Sequence, residues 1–353
     1  MRGSPLARVL LVAYLLLAIY ASLFPFSGWR DPGVVAALRL PWPRFVTGFD
    51  VWANLFGYLP YGMLCVLAWA PPARPGAAAL AAVFSAALLS GGLEVLQGFL
   101  PARIPSSLDV VMNVAGAVVG AGIGLRLAPW LEGGPIQRAR RVLLAPGPDT
   151  DLGFALLGLW LFAQLHPAAL TFGTGDLRDL FAAPAGAAHR AEFFVAIEAM
   201  TCAANLLAVA LLASALIRPG AAVRKMIVAL VGAGLAVKAL AFAILMQAEH
   251  LFAWLTPGAW VGVVGGTVLA LAAVALGRTA RLALAAVLLM AATVLINLAP
   301  PNPYLADTLK VWSQGHFLNF NGLTRLVSAA WPFAALAYLI YLASMRSRET
   351  AGR

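Results

Sequence analysis

The sequence predicts an all-α fold, a polytopic integral membrane bundle of about ten transmembrane helices with both termini cytoplasmic. Three observations predict it. Of 353 residues, 62% are hydrophobic and only 11% charged, where a soluble domain typically carries about 25% charged residues. Mean hydropathy is +0.88. The apolar residues form continuous runs of roughly the 20 residues that cross a hydrocarbon core, without the alternation a closed β-barrel requires.

The runs fall, in order, at 6–24, 51–70, 77–98, 108–128, 152–171, 191–217, 226–247, 259–276, 282–298 and 326–344. In the first, Arg2 and Arg8 precede an apolar stretch in the manner of a signal peptide. Val9 to Phe24 contains no small-x-small cleavage site, however, and ends in Phe-Pro-Phe, which favours an uncleaved anchor. Pro129, Gly133, Gly134 and Pro135, the arginines between 138 and 141, and Pro146-Gly147-Pro148 interrupt the pattern after the fourth run. The sequence therefore divides into a four-helix domain over 1–128, a cytoplasmic linker over 129–151 and a six-helix portion over 152–353. No internal repeat is evident, which weighs against the paired halves of a secondary transporter.

Charge sets the predicted orientation. With the N-terminus inside, fifteen of the 24 Lys and Arg residues lie in cytoplasmic segments, eight lie outside, and Lys238 falls within a helix. The positive-inside rule thus places both termini in the cytoplasm. The net charge of +10 is spread over loops and forms no basic element, so nucleic acid is not an expected partner. Trp29, Trp42, Trp52, Trp254, Trp260 and Trp312 fall near predicted outer boundaries, where interfacial indoles are expected. Cys65 and Cys202 each sit in an apolar run and read as small core residues. His166, His189, His250 and His316 lack any HxxxH or His/Cys spacing, so no metal and no cofactor are expected.

Polar side chains within the apolar runs are the candidate site. Asp50 and Asn54, Glu94 and Gln97, and Asp109 and Asn113 are paired at spacings of three or four residues, which share one helix face. Arg103 and Ser107 lie between the last two pairs. In the predicted orientation all of them fall on the extracytoplasmic side. Ionisable groups inside a membrane segment are expensive enough to point to function; the purely structural alternative is polar contacts between close-packed helices. Arg103 has two readings, a loop staple paired with Asp109 or a receptor for phosphate or carboxylate. Glu94 and Asp109 are the candidates for any acid/base chemistry, since three acids beside one arginine favour a protonated carboxyl.

These residues, in order, carry a family resemblance. Ser-Leu-Phe-Pro-Phe at 22–26, Asp-Val-Trp-Ala-Asn-Leu-Phe-Gly-Tyr-Leu-Pro-Tyr-Gly at 50–62, Ser90 with Glu94 and Gln97, and Arg103 followed by Ser107-Leu-Asp-Val-Val-Met-Asn-Val-Ala-Gly-Ala-Val-Val-Gly to Gly120 resemble the VanZ-like family over residues 10–128. The stretch Gln314 to Leu323 and Ser328 to Pro332 resembles the extension of longer members. The resemblance implies a multi-pass protein of the bacterial plasma membrane. It implies a part in the cell envelope like that of the family's namesake, which is associated with low-level resistance to teicoplanin, an acylated glycopeptide.

Further readings remain at the level of single elements. Gly57, Pro60, Gly62, Gly116, Gly120, Gly122 and Gly124 read as positions that let helices approach closely, with Pro60 interrupting the hydrogen bonds of its own helix. Lys238 and Glu198 lie at similar depth and are expected to form a buried ion pair, with a proton or ion relay as the alternative. Trp312 to Arg325, with Gln314, His316, Asn319 and Asn321, reads as a lid, a re-entrant loop or a packed surface loop.

The leading functional expectation is a pocket for a membrane lipid or amphiphilic envelope ligand, with a charged mouth formed by Asp50, Asn54, Glu94, Gln97, Arg103, Ser107, Asp109 and Asn113 and apolar walls. An intramembrane enzyme acting on a lipid-linked substrate is the second reading. No nucleophile elbow, Ser-His-Asp order or metal motif supports a particular reaction. A transporter is the third, disfavoured by polar groups gathered on one side only.

Overall fold

The computed structural model describes residues 4–69, 74–145, 148–178, 190–218, 222–245, 251–300, 302 and 318–351. Among these the chain is all-helical, with one isolated bridge between Leu144 and Ile217. Eight helices are long and apolar enough to cross a membrane. The chain is a helical membrane bundle, and it divides into two compact units, Met1–Arg141 and Val142–Arg353.

The first unit contains α1 (Pro5–Leu23), the short α2 (Val34–Ala37), α3 (Gly48–Trp69), α4 (Pro75–Gln97) and α5 (Ser107–Gly133), with α6 (Pro135–Leu143) running across the division. Local chemistry sets the helix starts. Ser4 caps α1 by accepting from the Ala7 amide at 3.3 Å, and proline occupies the first turn of α1 and α4, where its missing N–H is not needed. Gly33, at φ 81°, caps α2 in a conformation that an L side chain rarely adopts. The segment read as a linker is largely helical, because α5 continues to Gly133 and α6 begins two residues later.

Glycine decides how closely α3 and α5 pack. A Cβ at Gly116 would lie 2.1 Å from the Leu55 carbonyl oxygen, at Gly120 2.0 Å from that of Leu59, and at Gly62 2.2 Å from that of Ala117. A Cβ at Gly124 would lie 2.9 Å from the Met63 carbonyl oxygen, a looser approach. The two backbones are thus in direct contact, the arrangement that replaces hydrophobic burial as the source of association between helices in lipid. Gly57 and Gly122 have nothing within 4 Å of a built Cβ and take no part in this packing. Pro60 sits inside α3, and nearby the Tyr14 hydroxyl donates to the Gly57 carbonyl, tying α1 to α3.

The second unit contains α7 (Pro148–Ala163), α8 (Ala191–Ala215), α9 (Val223–Leu245), α10 (Pro257–Ala273), α11 (Arg278–Leu298) and α12 (Leu318–Ala351). Its core centres on α8, whose residues Leu206 to Ala215 are nearly all buried. Helix α10 lies on α8 through Gly258, Gly262 and Gly266, where a Cβ would come within 2.5 to 2.9 Å of α8 atoms. Cys65 and Cys202 are free and buried, as expected of core residues.

Several expectations are corrected here. The fifth apolar run does not cross as one helix: α7 ends at Ala163, and residues 164–178 continue without helix yet largely buried. Pro167 supplies the reason, since it disfavours helical backbone at His166. Trp254 is 8% exposed and packs near Phe242, so it is a core residue and no interfacial anchor. Lys238 and Glu198 form no ion pair within 4.0 Å among the described residues. The Lys238 ammonium instead donates to the carbonyls of His166 and Ala169, both at 2.9 Å. The segment 312–325 does not read as a loop throughout, because Asn321 and Arg325 belong to α12, while residues 312–317 lie outside the described residues, as do His189, His250 and His316.

Candidate functional site

The polar residues of the first unit collect at one end of the bundle, where α3 and α5 begin and α1 and α4 end. Two aspartates are placed there by the same local device. Thr47 and Asp50 bracket the start of α3: the Thr47 hydroxyl and amide donate to Asp50 Oδ2 at 2.6 and 3.3 Å, and the Asp50 amide donates to Thr47 Oγ1 at 3.1 Å. Ser106 caps α5, its Oγ accepting the Asp109 amide at 3.4 Å. The Thr47–Asp50 pair is a reciprocal cap of the type that satisfies exposed amides at a helix start, whereas the Ser106 amide is taken by Glu94. The signal was present in the sequence as Thr-x-x-Asp and Ser-x-x-Asp, and it makes Ser106 and Thr47 part of the site although neither was a candidate.

Glu94 occupies the centre. It is 4% exposed, and its Oε2 accepts the Ser106 amide at 2.8 Å, binding the last turn of α4 to the first of α5. One turn earlier on α4, Ser90 is fully buried and accepts from Asn113 Nδ2 at 2.9 Å. Tyr58 lies beside Ser90 and close enough to Glu94 to interact with its charge. Asn113 Oδ1 is buried with no hydrogen-bond partner among the described residues. Asn54 of α3 lies beside the Asp109 side chain, so α3, α4 and α5 each contribute to one polar cluster. Asp109 feels the charges of both Asp50 and Glu94.

Arg103 fits neither of its two expected roles alone. Its Nε donates to the Phe24 carbonyl at 3.1 Å and its Nη2 to that of Ala21 at 2.6 Å, so it staples the end of α1 to the α4–α5 connection without an ion pair to Asp109 among the described residues. Those carbonyls lack intrahelical partners at a helix C-terminus, which also favours a cation. Burial pulls the guanidinium below its ordinary value, and the nearby Glu94 carboxylate opposes this; it stays charged throughout the physiological range. Gln97 Nε2 donates to the Ser22 carbonyl at 3.2 Å, a second tie to α1. The Ser107 amide and hydroxyl both donate to the Pro41 carbonyl, at 3.1 and 3.2 Å, which holds the segment before α3 against α5.

The structure therefore brings Glu94, Asn113, Asp109, Asn54 and Asp50 into one cluster and assigns Arg103, Gln97 and Ser107 to its frame. The VanZ/LLP1 family model matches residues 10–128. The matched VanZ/LLP1 segment comprises most of α1 and all of α2, α3 and α4 with most of α5, and so contains the whole polar cluster. No curated protein and no solved structure matches the chain.

The surface around the VanZ/LLP1 cluster is unusually apolar. In the segment leading into α3, Val34, Val35, Leu38, Trp42 and Phe45 are all more than 60% exposed, and Trp29 and Trp52 about half so. Ala37 is the buried contact of α2, against Gly98 at the end of α4. Arg30, Arg39 and Arg44 are interspersed among these aromatic and aliphatic side chains. Amphipathic rings and basic residues mixed in this way are characteristic of a membrane–water interface. Chemically, the cluster offers several carboxylate and amide oxygens to hydrogen-bond donors, beside a surface suited to acyl chains.

Proposed function

We propose that the VanZ/LLP1 unit binds an amphiphile, the polar headgroup at the Glu94–Asp109–Asn113 cluster and the acyl chain along the exposed apolar surface beside it. The observation that carries this reading is a buried carboxylate and a buried Asn113 carbonyl oxygen, without a partner among the described residues, at the bundle end that also presents the exposed aromatic segment. Acceptors in excess suit a headgroup rich in hydroxyl or amide donors, as in an acylated glycopeptide or a lipid-linked sugar. Arg103 has five N–H donors, of which two hold α1, leaving donors for an anionic group on the ligand. With both termini cytoplasmic, as the charge distribution predicts, this end of the bundle faces the outer leaflet of the plasma membrane.

The test compares susceptibility to teicoplanin with that to vancomycin, which has no acyl tail, in cells carrying the wild-type protein, none, or Glu94→Gln at matched membrane levels. Loss of the protein is expected to raise teicoplanin susceptibility selectively, and Glu94→Gln to reproduce the loss. Identical profiles for wild type and a correctly inserted Glu94→Gln variant would refute the role of the cluster.

A further inference from the structure

The second unit contains a cavity unrelated to the VanZ/LLP1 segment. The connection after α7 turns inward: Gln164 is 1% exposed, Thr171 2% and Phe172 0%. Non-helical backbone is tolerated in a membrane protein only where protein or water satisfies its polar groups. Here Lys238 satisfies two carbonyls, and Thr171 Oγ1 donates to the Trp254 carbonyl at 3.2 Å. Between this connection, the first turns of α8, the end of α9 and the start of α10 lies a cavity of about 260 Å³, lined by Leu170, Phe194, Glu198, Phe242, Trp254 and Thr256 among others.

Its walls are aromatic and aliphatic apart from a few groups, and among the described lining residues Glu198 alone is ionisable. That carboxylate is 7% exposed and lies beside Thr256, the residue that caps α10. Gly258 leaves it room, since a Cβ there would lie 2.7 Å from Oε2. The nearest buried cation, Lys238, has two of its donors on carbonyls and stands over the Phe242 ring at 5.7 Å, beyond ion-pair distance of Glu198. A carboxylate removed from water is strongly disfavoured unless it is compensated. The α10 N-terminus compensates in part, and the wall it shares with the cavity is open to a ligand.

We propose that this cavity binds a primary alkylammonium group, with Glu198 as its counter-ion. The ammonium donates to the free lone pairs of Glu198 and lies against the aromatic faces of Phe194 and Trp254, where a desolvated cation is attracted by the ring quadrupole. The alkyl stem follows Leu170 and Val195. A free amine and an aminolipid headgroup share this chemistry.

The experiment titrates the purified full chain in detergent with n-hexylammonium and with n-hexanol, which has the same stem and no charge. Saturable one-site binding of hexylammonium is expected, about tenfold or more tighter than hexanol and weakened about tenfold or more by Glu198→Gln, as loss of a charge-assisted hydrogen bond predicts. Ala253→Trp, which fills the cavity without altering Glu198, is expected to abolish binding and decides the matter alone if Glu198→Gln fails to fold. Competition by phosphatidylethanolamine but not phosphatidylglycerol identifies an aminolipid as the source, and its absence identifies a free amine. Binding that is unsaturable, equal for hexanol, or unchanged in the folded variants overturns the proposal.

Discussion

At the level of single residues, the site separates groups that hold the bundle end together from groups left to act. Arg103 belongs to the first kind. Arg103→Ala removes two charge-assisted bonds to the end of α1, and a loss of about 1.5–3 kcal/mol is expected, with the bonds acting together. Thermal unfolding of the purified protein checks this. Ser106→Ala removes the side-chain cap of α5, and a loss of about 1 kcal/mol is expected in the same assay. Its amide still reaches Glu94, so ligand binding should change less than in Glu94→Gln. The residue types of the cluster were legible from spacing alone, because i to i+3 and i+4 positions share a face. The division of labour was not. Arg103 finds backbone carbonyls 79 and 82 residues away, and no local pattern announces a partner that is a peptide group.

At the level of elements, glycine spacing governs which helices touch. Gly120→Ala drives a methyl into the Leu59 carbonyl, and overpacking of this kind costs about 1–3 kcal/mol or more. Gly122→Ala, on the open side of the same helix, is the control: nothing lies within 4 Å of its Cβ, and replacing a mid-helix glycine by alanine favours the helix by roughly 0.5–1 kcal/mol. Opposite shifts in unfolding temperature for the two variants are expected, and equal shifts would refute the backbone-contact account. The positions of the long helices were readable from apolar run length, with ends displaced by a few residues. The fifth run was misread for a physical reason. Its apolar composition suits a span, yet Pro167 ends the helix and the continuation is buried by packing, and hydropathy cannot distinguish burial in lipid from burial in protein.

At the level of the whole molecule, the charge asymmetry predicts that reporters fused to either end respond as cytoplasmic. A phosphatase fused at either terminus should be inactive and a fluorescent protein fluorescent; an active phosphatase at either end would refute the assigned orientation. Composition by itself determined that the chain is a helical membrane protein, since the length and continuity of its apolar runs admit one kind of backbone satisfaction in lipid. The order of polar motifs by itself determined the VanZ-like resemblance of residues 10–128. Tertiary structure alone decided that Lys238 serves the connection after α7 and not Glu198, that Trp254 is interior, and that Glu198 borders a cavity. Those outcomes depend on which groups lie within about 3 Å in space, and for residues separated by tens of positions that distance is set by the packing of the helices and by nothing written locally.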